Sequence, residues 1–278
     1  MRSRVRLLSR LVSALVPPLT LICSVTYVSA QSMPSSGPFG FLVNTSTFMR
    51  PNNNGTAVLG VINLDGAGGV TGSYTFEQGS SQNAGKTALN VAGSLTGTYS
   101  MNPDGTGSIT VNLDAGLALT FALVIDSGGQ SLRLVETNCF FGGQGCNNFA
   151  AMTSGYARSA PAGSINGSYA VQLISSPNPN GTIGVMNFDG AGNVTLSFTS
   201  VAPGKDDTTG QMPVISGNLT GTYSTNPDGS GTIHLNGAIG QMGNSAFAFV
   251  VTDGGSGLLL MLTDGTASDV WYGSARQQ

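Results

Sequence analysis

Few side chains in this sequence carry the chemistry of a reactive or binding site, and their settings limit what each could do. Cys139 and Cys146 bracket the segment CFFGGQGC, and Cys23 is the third cysteine of the chain. Two thiols this close read as a disulfide if the protein is exported. The bond would cut the unfolded freedom of the loop by about 2.5 kcal/mol. A reactive dithiol needs a cation beside it to lower a thiol pKa, and the segment has none. The stapled loop would hold Phe140 and Phe141 at its tip, either as a contact for a partner or folded back over the domain. His234 is the single histidine, so a Ser-His-Asp, Cys-His or multi-histidine metal site could be built at most once. It alternates with Ile233 and Leu235 in TIHLN, the setting of a solvent-facing strand residue.

The acids fall mostly in turns. NPDG occurs at Asn102–Gly105 and Asn226–Gly229, inside the nearly identical stretches LTGTYSMNPDGTGSI (from Leu95) and LTGTYSTNPDGSGTI (from Leu219). Asn, Asp and Thr or Ser at alternate positions imitate the first half of a calcium loop. Such a loop also needs further carboxylates and a bidentate Glu, but the residues beyond the turn are SITVNL or TIHLNG. Pro at the second position of the turn, Asp at the third and Gly in the left-handed conformation specify a bulged hairpin turn instead. DGAG at Asp65 and Asp189 reads the same way. Glycoside hydrolysis needs two acids flanking a cleft. Glu77 and Glu136 have no acidic counterparts in the second stretch, and Asp206-Asp207 occurs only there. No metal, cofactor or catalytic residue is expected, and the chain reads as a non-enzyme.

The turns belong to a long repeat. DGAG and LTGTYS both recur at an offset of 124, FALVIDSGG from Phe121 returns as FAFVVTDGG at 126, and the glycine of SGYARS (Gly155) returns in YGSARQ (Gly273) at 118. The drop between the last two marks an insertion in the first copy, and it contains Cys139 and Cys146. A unit this long is a domain, since solenoid periods run to about 50 residues. The reading is a signal peptide over 1–30, a first repeat over 31–158, the linker SAPAGS at 159–164 and a second repeat over 165–278. Within the second repeat, eight short segments from GSYAVQL to VWYGSAR, rich in Val, Ile, Thr, Phe or Tyr, are separated by Gly, Asn, Asp and Pro. No stretch carries a helical period, and the connections are too short for parallel crossovers. The expectation is all-β: two tandem eight-stranded antiparallel up-and-down barrels of the lipocalin or avidin kind, each closed through matched first and last strands. Two β-sandwiches are the alternative.

Arg2, Arg4, Arg6 and Arg10, the apolar stretch LVSALVPPLTLICSVTYV and Val28-Ser29-Ala30 have the order of a secretory signal peptide. An uncleaved anchor is the alternative, weakened by Pro17 and Pro18. Cleavage removes four arginines and no acid, which takes the formal charge from −3 to −7. Nucleic acid and anionic membranes are thereby excluded as partners, because both need clustered cations. Strands of six to nine residues argue against a membrane-spanning barrel. The segments DGAGNVT, GNLTGTYSTNPDGSGTI and the closing GSAR resemble tandem-repeat secreted β-proteins of soil bacteria. That resemblance implies a bacterial exported β-protein and brings no catalytic residue with it. The functional expectation is a secreted, extracellular or periplasmic module that binds or adheres to a partner or glycan. The alternative is a carrier holding a small apolar ligand inside a barrel.

Overall fold

The computed structural model describes residues 36–45, 55–78, 89–126, 128–141, 144–145, 153–160, 164–176, 180–201, 213–239, 244–263 and 270–278. The first repeat forms β1 (Gly37–Thr45), β2 (Thr56–Leu64), β3 (Gly69–Gln78), β4 (Leu89–Met101), β5 (Thr106–Leu113), β6 (Leu117–Ile125), β7 (Ser131–Phe141), β8 (Gln144–Gly145) and β9 (Thr153–Ser159). The second forms β10 (Gly167–Ser176), β11 (Gly181–Phe188), β12 (Asn193–Val201), β13 (Val214–Thr225), β14 (Ser230–Ala238), β15 (Asn244–Thr252), β16 (Gly257–Leu262) and β17 (Val270–Gln277), with a 3-10 turn at Asp253–Gly255.

Each repeat is a closed antiparallel barrel of eight strands in chain order, and closure decides against the sandwich. In the first, β9 lies between β1 and β7, while the two-residue β8 pairs only with β7. In the second, β17 pairs with both β10 and β16. The repeated Gly-x-Ala-Arg endings perform the closure, with Arg158 opposite Gly40 and Arg276 opposite Ala170. Closing the sheet leaves neither barrel with a free edge.

Period-two alternation fills both interiors. On β10, Tyr169, Val171 and Leu173 point inward and are buried, while Ala170 and Gln172 are exposed. The second barrel's core is aromatic at one end: Tyr169 and Tyr223 each meet Phe188 edge to face, at 5.4 and 5.0 Å between centroids. Their hydroxyls donate to the carbonyls of Gly255 and Ile165. The first barrel packs Phe39, Phe41, Tyr74, Tyr99 and Phe121 among its aliphatic residues. Side chains occupy both lumens, as eight-stranded barrels allow.

NPDG is a bend in both copies. Gly105 and Gly229 each adopt φ 84°, and their amides donate to the Asn102 and Asn226 carbonyls at 3.0 Å. The Asp104 carboxylate accepts from the amide and hydroxyl of Thr106, and Asp228 accepts likewise from Ser230. The DGAG aspartates are engaged in the same manner, Asp65 by the amides of Ala67 and Gly69, Asp189 by those of Ala191 and Asn193.

Candidate functional site: the groove between the barrels

The barrels share a hydrophobic seam that lies outside the expectations drawn from the sequence. Outward residues Leu42, Ala57, Leu59 and Val61 of β1 and β2 pack on outward residues Ala248, Val250, Leu259 and Met261 of β15 and β16. These strands are therefore buried on both faces, and every residue of β16 is buried. Full burial of a Leu or Met side chain is worth about 1.5–3 kcal/mol, so the seam makes the two barrels one body. Ala160, just after β9, is fixed in it, its amide donating to the Pro38 carbonyl at 2.9 Å.

A charged clamp stands at one end of the seam. Asp253, the only non-glycine with positive φ among the described residues at 52°, receives Arg276 of its own barrel at 2.6 Å and Arg158 of the first at 3.3 Å. These are the equivalent arginines of the two closing motifs. Arg158 also lies over the Tyr156 ring, 5.8 Å from its centroid.

Beside the seam runs a groove of about 510 Å³, walled by β7, β9 and β1 on one side and by β10 and β17 on the other. Tyr156 and Tyr272 form its floor. Asn44 donates to the Tyr272 hydroxyl at 2.6 Å, which orients that phenol from the opposite barrel. Val135 and Ile174, 46% and 43% exposed, stand on opposite walls. Next to them are Arg133 and Gln172, both exposed, their side chains without a hydrogen-bond or ion-pair partner among the described residues. Burial raises the Tyr156 phenol above its ordinary pKa, against the hydrogen bond with Ser274 and the positive charges of Arg158 and Arg133. Burial raises Tyr272 as well, opposed by its bond with Asn44. Both phenols therefore stay neutral and offer polarised hydroxyls on an aromatic surface. A second cleft of about 280 Å³ lies on the other side of the seam, where the Ser73 hydroxyl donates to Asp228 at 3.3 Å.

The residues singled out from sequence lie elsewhere. His234 is exposed on β14 opposite Thr222, as its pattern required. Cys139, Phe140 and Phe141 lie on a strand that runs to a hairpin end: their backbones end β7, paired with Leu119, Ala118 and Leu117 of β6. Phe140 and Phe141 also pair with Gly145 and Gln144 of β8. The extra residues of the first copy extend a strand because β6 continues alongside to pair with it. Cys146 and the side chains of Cys139, Phe140 and Phe141 lie outside the described residues, as does the whole of 1–30. Glu77, which has no acidic counterpart in the second repeat, is a buried strand residue of β3 opposite Ala57. Among the described residues no group of three or more His, Cys, Asp or Glu could hold a metal, and no helix is long and apolar enough to cross a membrane.

The turn aspartates set the acid response. Asp189 is lowered below the usual carboxylate range by the Asn193 side chain first, Asp104 by the Thr106 hydroxyl, and Asp65 by the Ala67 amide. Asp114 is lowered by the Ser94 amide and Asp126 by the Ser131 hydroxyl. A carboxyl whose folded pKa lies below its unfolded value of about 3.9 stabilises fully above that value and loses the effect as pH falls through the folded pKa. Urea midpoints are expected to hold between about pH 7 and 5 and to fall below about pH 4. Replacing Asp104 and Asp189 with Asn should flatten that fall; an unchanged acid limb would sink the assignment.

No protein-family model matches the chain, and no curated protein matches it. Among solved structures the chain is similar to the vaccine antigen transferrin binding protein B from Haemophilus parasuis. The identity is 8%, the match covers 88% of this chain and 77% of that one, and the TM-score is 0.26. It is also similar to a protein of unknown function from Nostoc punctiforme, at 12% identity over 90% of this chain and 97% of that one, again with a TM-score of 0.26.

Proposed function

We propose that the chain is an exported, non-catalytic binding module and that the inter-barrel groove holds an uncharged extracellular glycan. The observation that carries this reading is the pairing of Arg133 and Gln172, whose side chains have no partners of their own among the described residues, with the exposed Val135 and Ile174 over two tyrosines. Sugars present hydroxyls to such donors and C–H faces to such apolar walls. The acidic chain favours a neutral polymer over an anionic one. The inward side chains of both barrels form apolar clusters, which favours a hydroxyl-rich ligand held outside the barrels.

Affinity electrophoresis of the folded protein in gels cast with neutral glucans, mannans or xylans tests the reading. Retardation by at least one of them is expected, and Arg133→Ala/Gln172→Ala should weaken it at least tenfold without changing the circular dichroism spectrum. Migration unaffected by every polymer, or affected equally in wild type and variant, would overturn it.

Export is tested on the same material by mass. The two cysteines flank the β7–β8 hairpin pairs symmetrically in sequence, one position before Phe140 and one after Gly145. Secreted protein is expected to lack residues 1–30 and to gain two hydrogens on reduction, from one disulfide bond. Free thiols in the secreted chain would refute the pairing.

A further inference from the structure

The seam joins two different faces. It uses the β1–β2 face of the first barrel and the β15–β16 face of the second. Because the barrels are repeats, each also carries the other's kind of face. The second barrel has a β10–β11 face that corresponds to β1–β2, and the first has a β6–β7 face that corresponds to β15–β16. A contact between unlike faces is head-to-tail, so it leaves one face of each kind unused and, repeated, builds a ring or an open series. A second copy of this chain, laying its β6–β7 face on β10–β11, would extend the pair of barrels to four and onward. Among the described residues, four of the six large apolar side chains that stand exposed lie on these two faces: Val124 (50%) and Val135 on one, Ile174 and Ile183 (61%) on the other.

The strand registers identify what differs between the used and the unused faces. Gly40 corresponds to Ala170 and Leu42 to Gln172, while Leu259 corresponds to Arg133. Gly40 has no room for a side chain: a Cβ there would lie 2.6 Å from Val250 Cγ1 and 3.0 Å from Thr252 Cγ2. The residue equivalent to Val250 is Val124, so in the same geometry the methyl of Ala170 would strike Val124. Gln172 and Arg133 would place an amide and a guanidinium where the seam buries two leucines, and a guanidinium buried there without a carboxylate is costly. The clamp is also missing, since the sequence counterpart of Asp253 is the uncharged Ser127.

We infer that Ala170, Gln172 and Arg133 act as caps that stop the head-to-tail series after two barrels and keep the molecule from polymerising through its own duplicated faces. Repeat proteins need such polar ends for solubility. Capping does not depend on the glycan reading, although Arg133 and Gln172 appear in both, because its test reads mass and not ligand.

Two variants restore one face each: Ala170→Gly/Gln172→Leu restores the β10–β11 face, and Arg133→Leu restores the β6–β7 face. The altered residues are all exposed, so both variants should fold, which circular dichroism checks. In sedimentation velocity the wild type is expected as a single species up to several hundred micromolar. Each half-variant alone should remain single, an equimolar mixture should give a species of twice the mass, and the triple variant should give a concentration-dependent ladder. Cysteines placed at Val124 and Ile183 should cross-link the mixture between chains. A wild type that itself forms the ladder, or half-variants that stay apart when mixed, would overturn the inference.

Discussion

Leu59→Asp is expected to destabilise both barrels together, whereas Ile183→Asp, at the equivalent position of the other repeat, should leave stability nearly unchanged. Leu59 is 1% exposed in the middle of the seam and Ile183 is 61% exposed. A carboxylate at position 59 would be buried against aliphatic side chains with nothing to pair it. Such changes cost more than about 4 kcal/mol, a large part of the roughly 5–15 kcal/mol that holds a typical domain. The surface replacement should fall within about 0.5 kcal/mol of neutral. Because the seam belongs to both barrels, the loss should appear as one cooperative transition at a lower urea midpoint. If Leu59→Asp instead left the second barrel's transition in place, the barrels would be independent domains and the seam only a contact.

Gly273→Ala should open the second barrel where it closes. Gly273 faces Leu173 across the β10–β17 pair, and a Cβ on it would lie 1.9 Å from the Gln172 carbonyl oxygen. That neighbour is backbone, so relief requires the closing strands to move apart; about 3 kcal/mol is expected, the upper end of overpacking costs. Its repeat equivalent Gly155 is confined the same way, 2.4 Å from the Leu42 carbonyl oxygen. Gly181→Ala is the control, since nothing lies within 4 Å of its Cβ and its φ is not positive. It should be neutral or slightly stabilising. Equal thermal midpoints for the two variants would refute this account of the motif's glycine.

Much of the fold was legible because local chemistry and tertiary structure agree. The eight segments expected in the second repeat are its eight strands, since Gly, Asn, Asp and Pro interrupt them wherever the backbone must turn. NPDG was readable as a bend because the proline and glycine it needs have few other uses in that order. The seam was not recognised, although a signal was present. TAVLGVINL and GLLLML are continuous apolar runs where neighbouring strands alternate, the mark of burial on both faces. The groove could not be read at all. Tyr156, Tyr272, Arg133 and Gln172 are outward residues of four different strands, ordinary surface positions until the second barrel docks beside them. Asp253 was hidden for a subtler reason: FALVIDSGG and FAFVVTDGG align with the acid shifted by one place, and that single step moves it from Asp126, bonded to Ser131 in its own turn, to a clamp between barrels.

The closing pairs also set the order of assembly. Tyr169 pairs with Gln277 and Phe39 with Ser159, so the first strand of each barrel waits for the last before its backbone is fully satisfied. Pairings so remote in sequence are slow to form. A chain emerging amino end first during synthesis would carry β10 and its neighbours as an open sheet until the final strand emerged, and that is when two unpaired edges invite aggregation. The first barrel can close while the second is still in transit, and its β1–β2 face is then a finished template on which β15 and β16 settle. Proteolysis or premature termination before β17 would leave that template uncovered, its apolar β1–β2 face without the partner the seam supplies.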